Sequence, residues 1–345
     1  MTESANSHQI AAGAGHTALP DHARTVAAAL AEEIRRGGLD LPLPGKGRTW
    51  QRWERLRDLG RRDLSLARLA EGHTDAVAIL DELHGPDPGP GTLWGVWAAH
   101  PPGPDLHARR DGGKWRVDGV KRFCSGARIC THGLVSALVE GEGRRLFAVL
   151  TDTVVADPRT WAACGMTASD TLTLVFDAVP AEPVGAPGDY IGRPGFHHGG
   201  IGVAACWYGG ALALARPLVE RAAAGRADAH ALARMGAVDR DLHAAEAVLR
   251  LAAHEIDADP HDLAGGAARR TLRARAVVAA TCASVLADAG SALGAGPLAA
   301  DPEYARACAD LPAYLSQHQN DRALETLGSL ATNREKETAN GHGNG

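Results

Sequence analysis

Six cysteines in 345 residues, none of them in a CxxC pair, leave little material for a disulfide framework or a thiolate metal site. Cys124, Cys130, Cys164, Cys206, Cys282 and Cys308 sit in apolar contexts, the pattern of reduced, buried thiols in a cytoplasmic protein. The chain also lacks an HExxH pair and any clustered Cys/His set, so no metal is expected. Nor is there a basic stripe. The 36 Lys and Arg residues are scattered and offset by 41 Asp and Glu, for a net charge of −5, so the phosphate-binding footprint of a nucleic-acid partner is missing. The longest apolar stretches, such as 201–215, are broken by glycine and are expected to fall short of a membrane span. Residues 1–15 are polar and rich in Gly, Ala and Ser, unlike a charged-then-apolar export signal, which again points to the cytoplasm without a membrane.

What the chain does have is a 45% hydrophobic content, enough for a large core and one to three domains. Apolar residues at helical spacing (Val26, Leu30, Ile34) predict a helix over 22–37, closed by Gly37-Gly38. Two further helices are expected over 50–59 and 62–83, and the Pro/Gly-rich stretch 85–91 marks a boundary. Residues 93–184 carry short alternating runs, at 134–139, 146–150 and 172–176 among others, and read as a β region. Beyond a Gly/Pro-rich linker over 185–200 the pattern is helical again, over 201–224, 233–256, 272–289 and a last segment 302–330. Helices, then strands, then long helices make an α+β protein. The expected divisions are a disordered tail over 1–16, a helical domain over 17–91, a β domain over 92–186, a helical bundle over 187–332 and a polar, disordered tail over 333–345.

The most specific motif lies in the β region. Residues 114–127 (KWRVDGVKRFCSGA) alternate apolar and polar positions around Asp118-Gly119, which reads as a turn between two strands, and end in Phe123-Cys124-Ser125-Gly126. About forty residues later comes GMTASDTLTLVFDAV, over 165–179. The pair resembles the central β domain of the acyl-CoA dehydrogenase superfamily, in which G-x-K-x-(W/F)-x-(S/T)-(G/N) lays a hydroxyl and backbone N–H groups against a flavin. The resemblance extends more weakly over 67–328. It implies an N-terminal helical domain, a β-barrel-like middle domain and a C-terminal four-helix bundle, with FAD as cofactor. The N-terminal domain is several helices short of longer members.

By that resemblance Phe123 would pack on the flavin ring, with Cys124 beside it, and Ser125 would bond near N5; the other reading of Ser125 is an ordinary turn serine. The loop WGVWAAHPPGPD over 94–105 matches a flavin-contacting loop in position. There Ala98 stands where a threonine is usual and Pro104 replaces a serine on the substrate side, while Trp97 either stacks on the flavin or is core. Met166, Ser169 and Thr171 match a segment beside flavin and substrate, although Ser169 and Thr171 also suit a turn before a strand. In SALGAGPL over 291–298, Gly294 and Gly296 resemble a loop that takes the adenosine diphosphate half of FAD, with a helix C-cap as the plain alternative. Arg226 is the nearest candidate for the pyrophosphate.

Removing a proton next to a thioester carbonyl needs a base, usually a glutamate in this superfamily. No Asp or Glu occurs over 190–219, and with Asp310 and Tyr314 as anchors the second usual position falls on His318. Histidine can serve as base near neutral pH; Asp310 and Asp321 are other acids at hand. His197 and His198, beside a Gly199-Gly200 hinge, are expected on the substrate side. Three functions follow from the resemblance. The first is an FAD-dependent dehydrogenase acting on an acyl-CoA or carrier-bound thioester, with an electron-transfer partner. The second is a monooxygenase supplied with reduced flavin by a separate reductase, and the third a flavin-binding scaffold without redox chemistry. The near-continuous apolar face over 272–289 adds the expectation of a homodimer or homotetramer.

Overall fold

The computed structural model describes residues 18–317 and 320–341. In chain order it runs α1 (Asp21–Arg35), α2 (Thr49–Arg62), α3 (Leu64–Glu82), β1 (Trp94–Trp97), β2 (Leu106–Asp111), β3 (Lys114–Cys124) and β4 (His132–Val139). Then follow β5 (Gly143–Leu150), β6 (Val155–Asp157), a single 3-10 turn (Thr167–Ser169), β7 (Leu172–Val184) and α4 (Asp189–Gly192). The remainder is helical: α5 (Pro194–Ala223), α6 (Ala229–Ala258), α7 (Ala267–Leu293), α8 (Gly296–Ala300), α9 (Pro302–Leu315) and α10 (Asn320–Gly341).

Two compact units share these elements, Met1–Leu41 with Ser65–Phe196, and Pro42–Leu64 with His197–Gly345. The expected helical domain over 17–91 is thus divided between them, and packing gives the reason. On α3, Ala76, Ile79 and Leu80 form one core cluster with Trp94, Leu134, Leu146 and Val184 of the strands. Helix α2 instead meets α5 backbone to backbone. A Cβ on Gly60 would lie 2.3 Å from the Cys206 carbonyl oxygen, and one on Gly209 would lie 2.1 Å from that of Arg57. The start of α2 is tied to α6 as well, since Asp257 accepts from the Thr49 amide at 3.0 Å and from its hydroxyl at 2.6 Å. The last helix, α10, passes residue 332, where the bundle was expected to end. The expected disordered tail over 1–16 lies outside the described residues.

In the first unit the sheet closes on itself. Strand β4 pairs with β1 and β2 along one edge and with β5 along the other, while β5, β7, β3 and β2 complete the ring. The chain reversal differs from the one expected at Asp118-Gly119. Register places Asp111 opposite Lys114, so the turn is Gly112-Gly113, both at positive φ (56° and 83°) as a two-residue hairpin turn requires. Asp118-Gly119 is a bulge inside one continuous strand β3, where the ladder to β7 slips. The Asp118 carboxylate accepts from the Ala178 amide at 2.7 Å, and Gly119 (φ 121°) passes so close to the Asp105 carbonyl that a Cβ would sit 2.3 Å from it.

The second unit is built of α2 and the helices from α5 onward. Asp228 caps α6 through the Ala231 amide at 2.8 Å, and Asp301 caps α9. By length and composition α5 and α7 could each cross a bilayer, where glycine-broken runs had been expected to fall short. In α5, 72% of the apolar window is buried within the protein; in α7 only 33% is.

Candidate functional site

Strands β1 and β4 run parallel with Gly95 opposite Gly133. A Cβ on Gly95 would meet the Trp97 ring at 2.6 Å, and one on Gly133 at 2.3 Å, so the indole lies in a trough that only two glycines leave open. Its Nε1 donates to the Ser125 carbonyl at 2.9 Å. Of the two readings of Trp97, ligand contact or core, its 1% exposure agrees with core: it supports Ser125 from behind. Sequence gave no hint of this, because the trough depends on glycines 38 positions apart coming into register.

At the end of β3 the chain leaves its ladder. Phe123 takes a left-handed conformation (φ 62°) and Gly126 another (φ 72°), with Cys124 and Ser125 between them. A non-glycine residue at such a φ is strained by roughly 1–3 kcal/mol and persists only where its surroundings hold it. The strain here turns the Phe123 ring outward, 51% exposed, while Cys124 turns inward. The Cys124 thiol donates to the Lys121 carbonyl at 3.3 Å, and burial pushes its pKa up, so this side chain is core rather than a ligand contact. Trp97 and Ser169 fix the peptide between Ser125 and Gly126 from both ends, since the Gly126 amide donates to the Ser169 carbonyl at 2.8 Å.

The second motif meets the first here. Ser125 Oγ lies 2.9 Å from Thr171 Oγ1, and Thr171 Oγ1 lies 2.8 Å from Ser169 Oγ. The Ser169 hydroxyl donates onward to the Met166 carbonyl at 2.7 Å. All three hydroxyl residues are buried. The turn that carries them has left-handed Met166 (φ 57°) and Asp170 (φ 46°). Asp170 is held by Arg128, whose amide and guanidinium both donate to its carboxylate. The structure thus brings Phe123, Ser125, Ser169 and Thr171 together.

The loop after β1 is anchored differently. Asp105 pairs with Arg144 and accepts from the Leu106 amide at 2.8 Å, while Pro104 is exposed and Ala98 half-buried. Beneath the loop is a group that sequence reasoning missed. Lys121 is buried, donating to the carbonyl and the hydroxyl of Ser136 at 2.8 Å each, with a His100 ring nitrogen 3.5 Å away. Burial pushes the Lys121 amine down to about 8; partial burial and then Lys121 push His100 to about 4. Between about pH 8 and the ordinary lysine value near 10.4, the unfolded chain holds a proton that folded Lys121 has released. The contribution of Lys121 to stability therefore rises with pH across that window. The buried thiols, Cys124 among them, have raised pKa values and act in the opposite sense, so the check is a difference. Urea titrations at intervals from pH 7 to pH 10.5 are expected to show the wild type gaining stability relative to Lys121→Met as pH rises.

In the helical unit, His197 and His198 lie in the first turns of α5 and Gly199-Gly200 is helical, not a hinge. The His197 carbonyl accepts from the Thr271 hydroxyl at 2.9 Å, and burial lowers the pKa of its ring. Gly294 caps α7 (φ 66°) through its amide to the Gly290 carbonyl, and Gly296 opens the short helix α8; a Cβ on either would meet open space. Arg226 is exposed. The anchors Asp310 and Tyr314 are buried on α9, with Tyr314 edge-on to Trp207 at 6.1 Å. His318 itself lies outside the described residues.

No protein-family model and no curated protein sequence matches the chain. Solved structures do. KijD3, in complex with FMN and dTDP-3-amino-2,3,6-trideoxy-4-keto-3-methyl-D-glucose, superposes with a TM-score of 0.73 at 21% identity, over 92% of this chain and 95% of that one. TdsC from Paenibacillus sp. A11-2, with FMN and indole, gives 0.70 at 18% identity over 91% and 98%. Butyryl-CoA dehydrogenase from Megasphaera elsdenii gives 0.71 at 16% identity over 92% and 100%. Over almost the whole of its length the chain has the acyl-CoA dehydrogenase fold.

Proposed function

We propose that the chain is a flavin-dependent oxidoreductase acting on a small molecule. The observation that carries this reading is the strained, outward Phe123 beside the buried hydroxyls of Ser125 and Thr171. An exposed ring edge suits a flat heteroaromatic, and small hydroxyls with fixed backbone groups suit the polar rim of an isoalloxazine. The donors and acceptors present therefore fit a flavin. When bound, that group would supply the electron-transfer chemistry; Phe123 would pack on it, and Ser125 would meet it near N5. FAD is the cofactor that Gly294 and Gly296 would serve, whereas FMN needs only the β unit. A tenfold or greater preference for FAD over FMN would support the glycine loop as the seat of the adenosine half. Ser125→Ala is expected to weaken the binding of reduced flavin about fivefold or more, the worth of one desolvated hydrogen bond. Unchanged affinity and an unchanged absorption spectrum would remove Ser125 from the site.

Two reactions suit the residues. Monooxygenation with reduced flavin and oxygen is favoured by the stretch over 190–219, which offers no carboxylate to take a proton from carbon. KijD3 and TdsC were each solved with FMN, and TdsC is a dibenzothiophene monooxygenase. Dehydrogenation of an acyl thioester is the second reading, supported by the likeness to butyryl-CoA dehydrogenase, with His318 as base. Pro104, Ser169, Thr171, His197 and His198 are the candidates to line the substrate side. A flavin reductase would be the partner in the first reaction and an electron acceptor protein in the second, both in the cytoplasm. The incompletely covered apolar face of α7 supports a homodimer or homotetramer. Light scattering at micromolar concentration is expected to show it, and a monomer with flavin bound would contradict it.

A further inference from the structure

The three buried hydroxyls form a line with a fixed direction, and that direction decides what Ser125 can offer a ligand. The Met166 carbonyl can only accept, so at 2.7 Å the single Ser169 hydroxyl proton is committed to it. Thr171 Oγ1 lies 2.8 Å from Ser169 Oγ, a separation at which one proton must lie between the oxygens. Ser169 has none left, so Thr171 donates. The same step repeats at 2.9 Å between Thr171 and Ser125: Thr171 has spent its proton, and Ser125 must donate. Ser125 Oγ is then left with lone pairs alone. Toward anything bound against it, this hydroxyl is an acceptor.

The direction is held firmly. The Met166 carbonyl that starts the line also accepts from the Ser169 amide at 3.1 Å, closing the turn, and Arg128 grips Asp170 between the two donors. At the other end Trp97 holds the Ser125 carbonyl at 2.9 Å. Reversing the line would break the bond to Met166 inside a site from which water is largely excluded.

We propose that this relay makes the site selective for the reduced form of the flavin. The inference rests on the flavin reading above, with Ser125 against N5. Oxidised isoalloxazine presents at N5 a bare lone pair, which an acceptor repels; the reduced ring presents an N–H there, which an acceptor binds. Ser169 and Thr171 act as positioning residues, setting the polarity of Ser125 from behind. No bond is made or broken in this step, only a choice between two redox states of one ligand. Selectivity of this kind suits an enzyme that takes up flavin already reduced elsewhere.

The test is a pair of anaerobic titrations of FMN, oxidised and dithionite-reduced, on the purified wild type, Ser169→Ala and Thr171→Val. Reduced FMN is expected to bind the wild type at least about tenfold more tightly than oxidised FMN, the difference between a gained hydrogen bond and an opposed pair of acceptors. In both variants Ser125 regains a donor, because Thr171 can turn toward it or no longer competes, and the ratio is expected to fall toward one. Thr171→Val keeps the shape of the side chain, so it decides the matter if Ser169→Ala disturbs the turn. A wild type that binds oxidised FMN as tightly as reduced, or a preference that persists in both folded variants, overturns the inference alone. A folded wild type that binds neither form overturns the flavin reading and this inference with it.

Discussion

Gly209→Ala is expected to cost the protein about 3 kcal/mol or more, enough to lower its denaturant midpoint sharply and to leave larger side chains at this position without a folded state. The new Cβ would sit 2.1 Å from the Arg57 carbonyl oxygen and 2.7 Å from the Arg61 amide nitrogen, both backbone atoms of α2. A side chain in the way could rotate; a helix backbone cannot. Overpacking against movable neighbours costs about 1–3 kcal/mol, and here the only relief is to push two helices apart along their whole contact, against a total stability of roughly 5–15 kcal/mol. Gly60→Ala, facing the Cys206 carbonyl at 2.3 Å, is expected to behave in the same way. The contrast is Gly236 on α6, where a Cβ meets nothing within 4 Å. There Gly236→Ala is expected to stabilise the protein by about 0.5–1 kcal/mol, the ordinary gain from removing glycine from a helix interior. Urea melts of the three variants check both signs. An unaffected Gly209→Ala would mean that α2 and α5 do not pack as described.

His318→Gln is expected to lower turnover by about 10² to 10⁴ while leaving flavin binding and the melting temperature in place. That is the usual worth of general acid–base catalysis. The expectation belongs to the dehydrogenation reading and rests on the absence of any carboxylate over 190–219 and on the resemblance, which, with Asp310 and Tyr314 as anchors, sets His318 at the position of the usual base. Its sign with pH is fixed as well. A base works unprotonated, so activity rises with pH as the imidazole loses its proton. His318→Glu restores the residue usual in the superfamily and separates the two reactions proposed above: gain of acyl thioester dehydrogenation favours that chemistry, and its absence with oxygen consumption retained in the wild type favours monooxygenation. Full turnover by His318→Gln on the true substrate would remove His318 from the chemistry.

Much of the fold was legible because periodicity and punctuation agree with it. The helices over 22–37 and 62–83 and the long C-terminal helices were placed by apolar spacing, and the β region was bounded by its Pro/Gly-rich flanks. What escaped reading depends on partners distant in sequence. Asp118-Gly119 has the composition of a turn, yet Gly112-Gly113 supplies the two positive-φ positions that the strands need, and the Asp118 carboxylate is taken up by the Ala178 amide across the bulge. Helix α2 looked like part of an N-terminal domain because nothing in its own sequence says that Gly60 meets Cys206. At the site, Phe123, Ser125, Ser169 and Thr171 were found from their motifs, but the direction in which the three hydroxyls donate was not. That direction follows from three distances and a carbonyl. Trp97 was read from its loop as a ligand contact or as core, and only the register of Gly95 with Gly133 shows it lying under Ser125.

The most direct test of a flavin site in the β unit is the binding of flavin to the purified protein, followed by fluorescence and absorption under anaerobic conditions for FMN and FAD in both redox states. The account predicts saturable binding of at least one of them at micromolar concentration, with a perturbed flavin spectrum that Ser125→Ala weakens or shifts. Folded protein that binds none of the four up to millimolar concentration would contradict it.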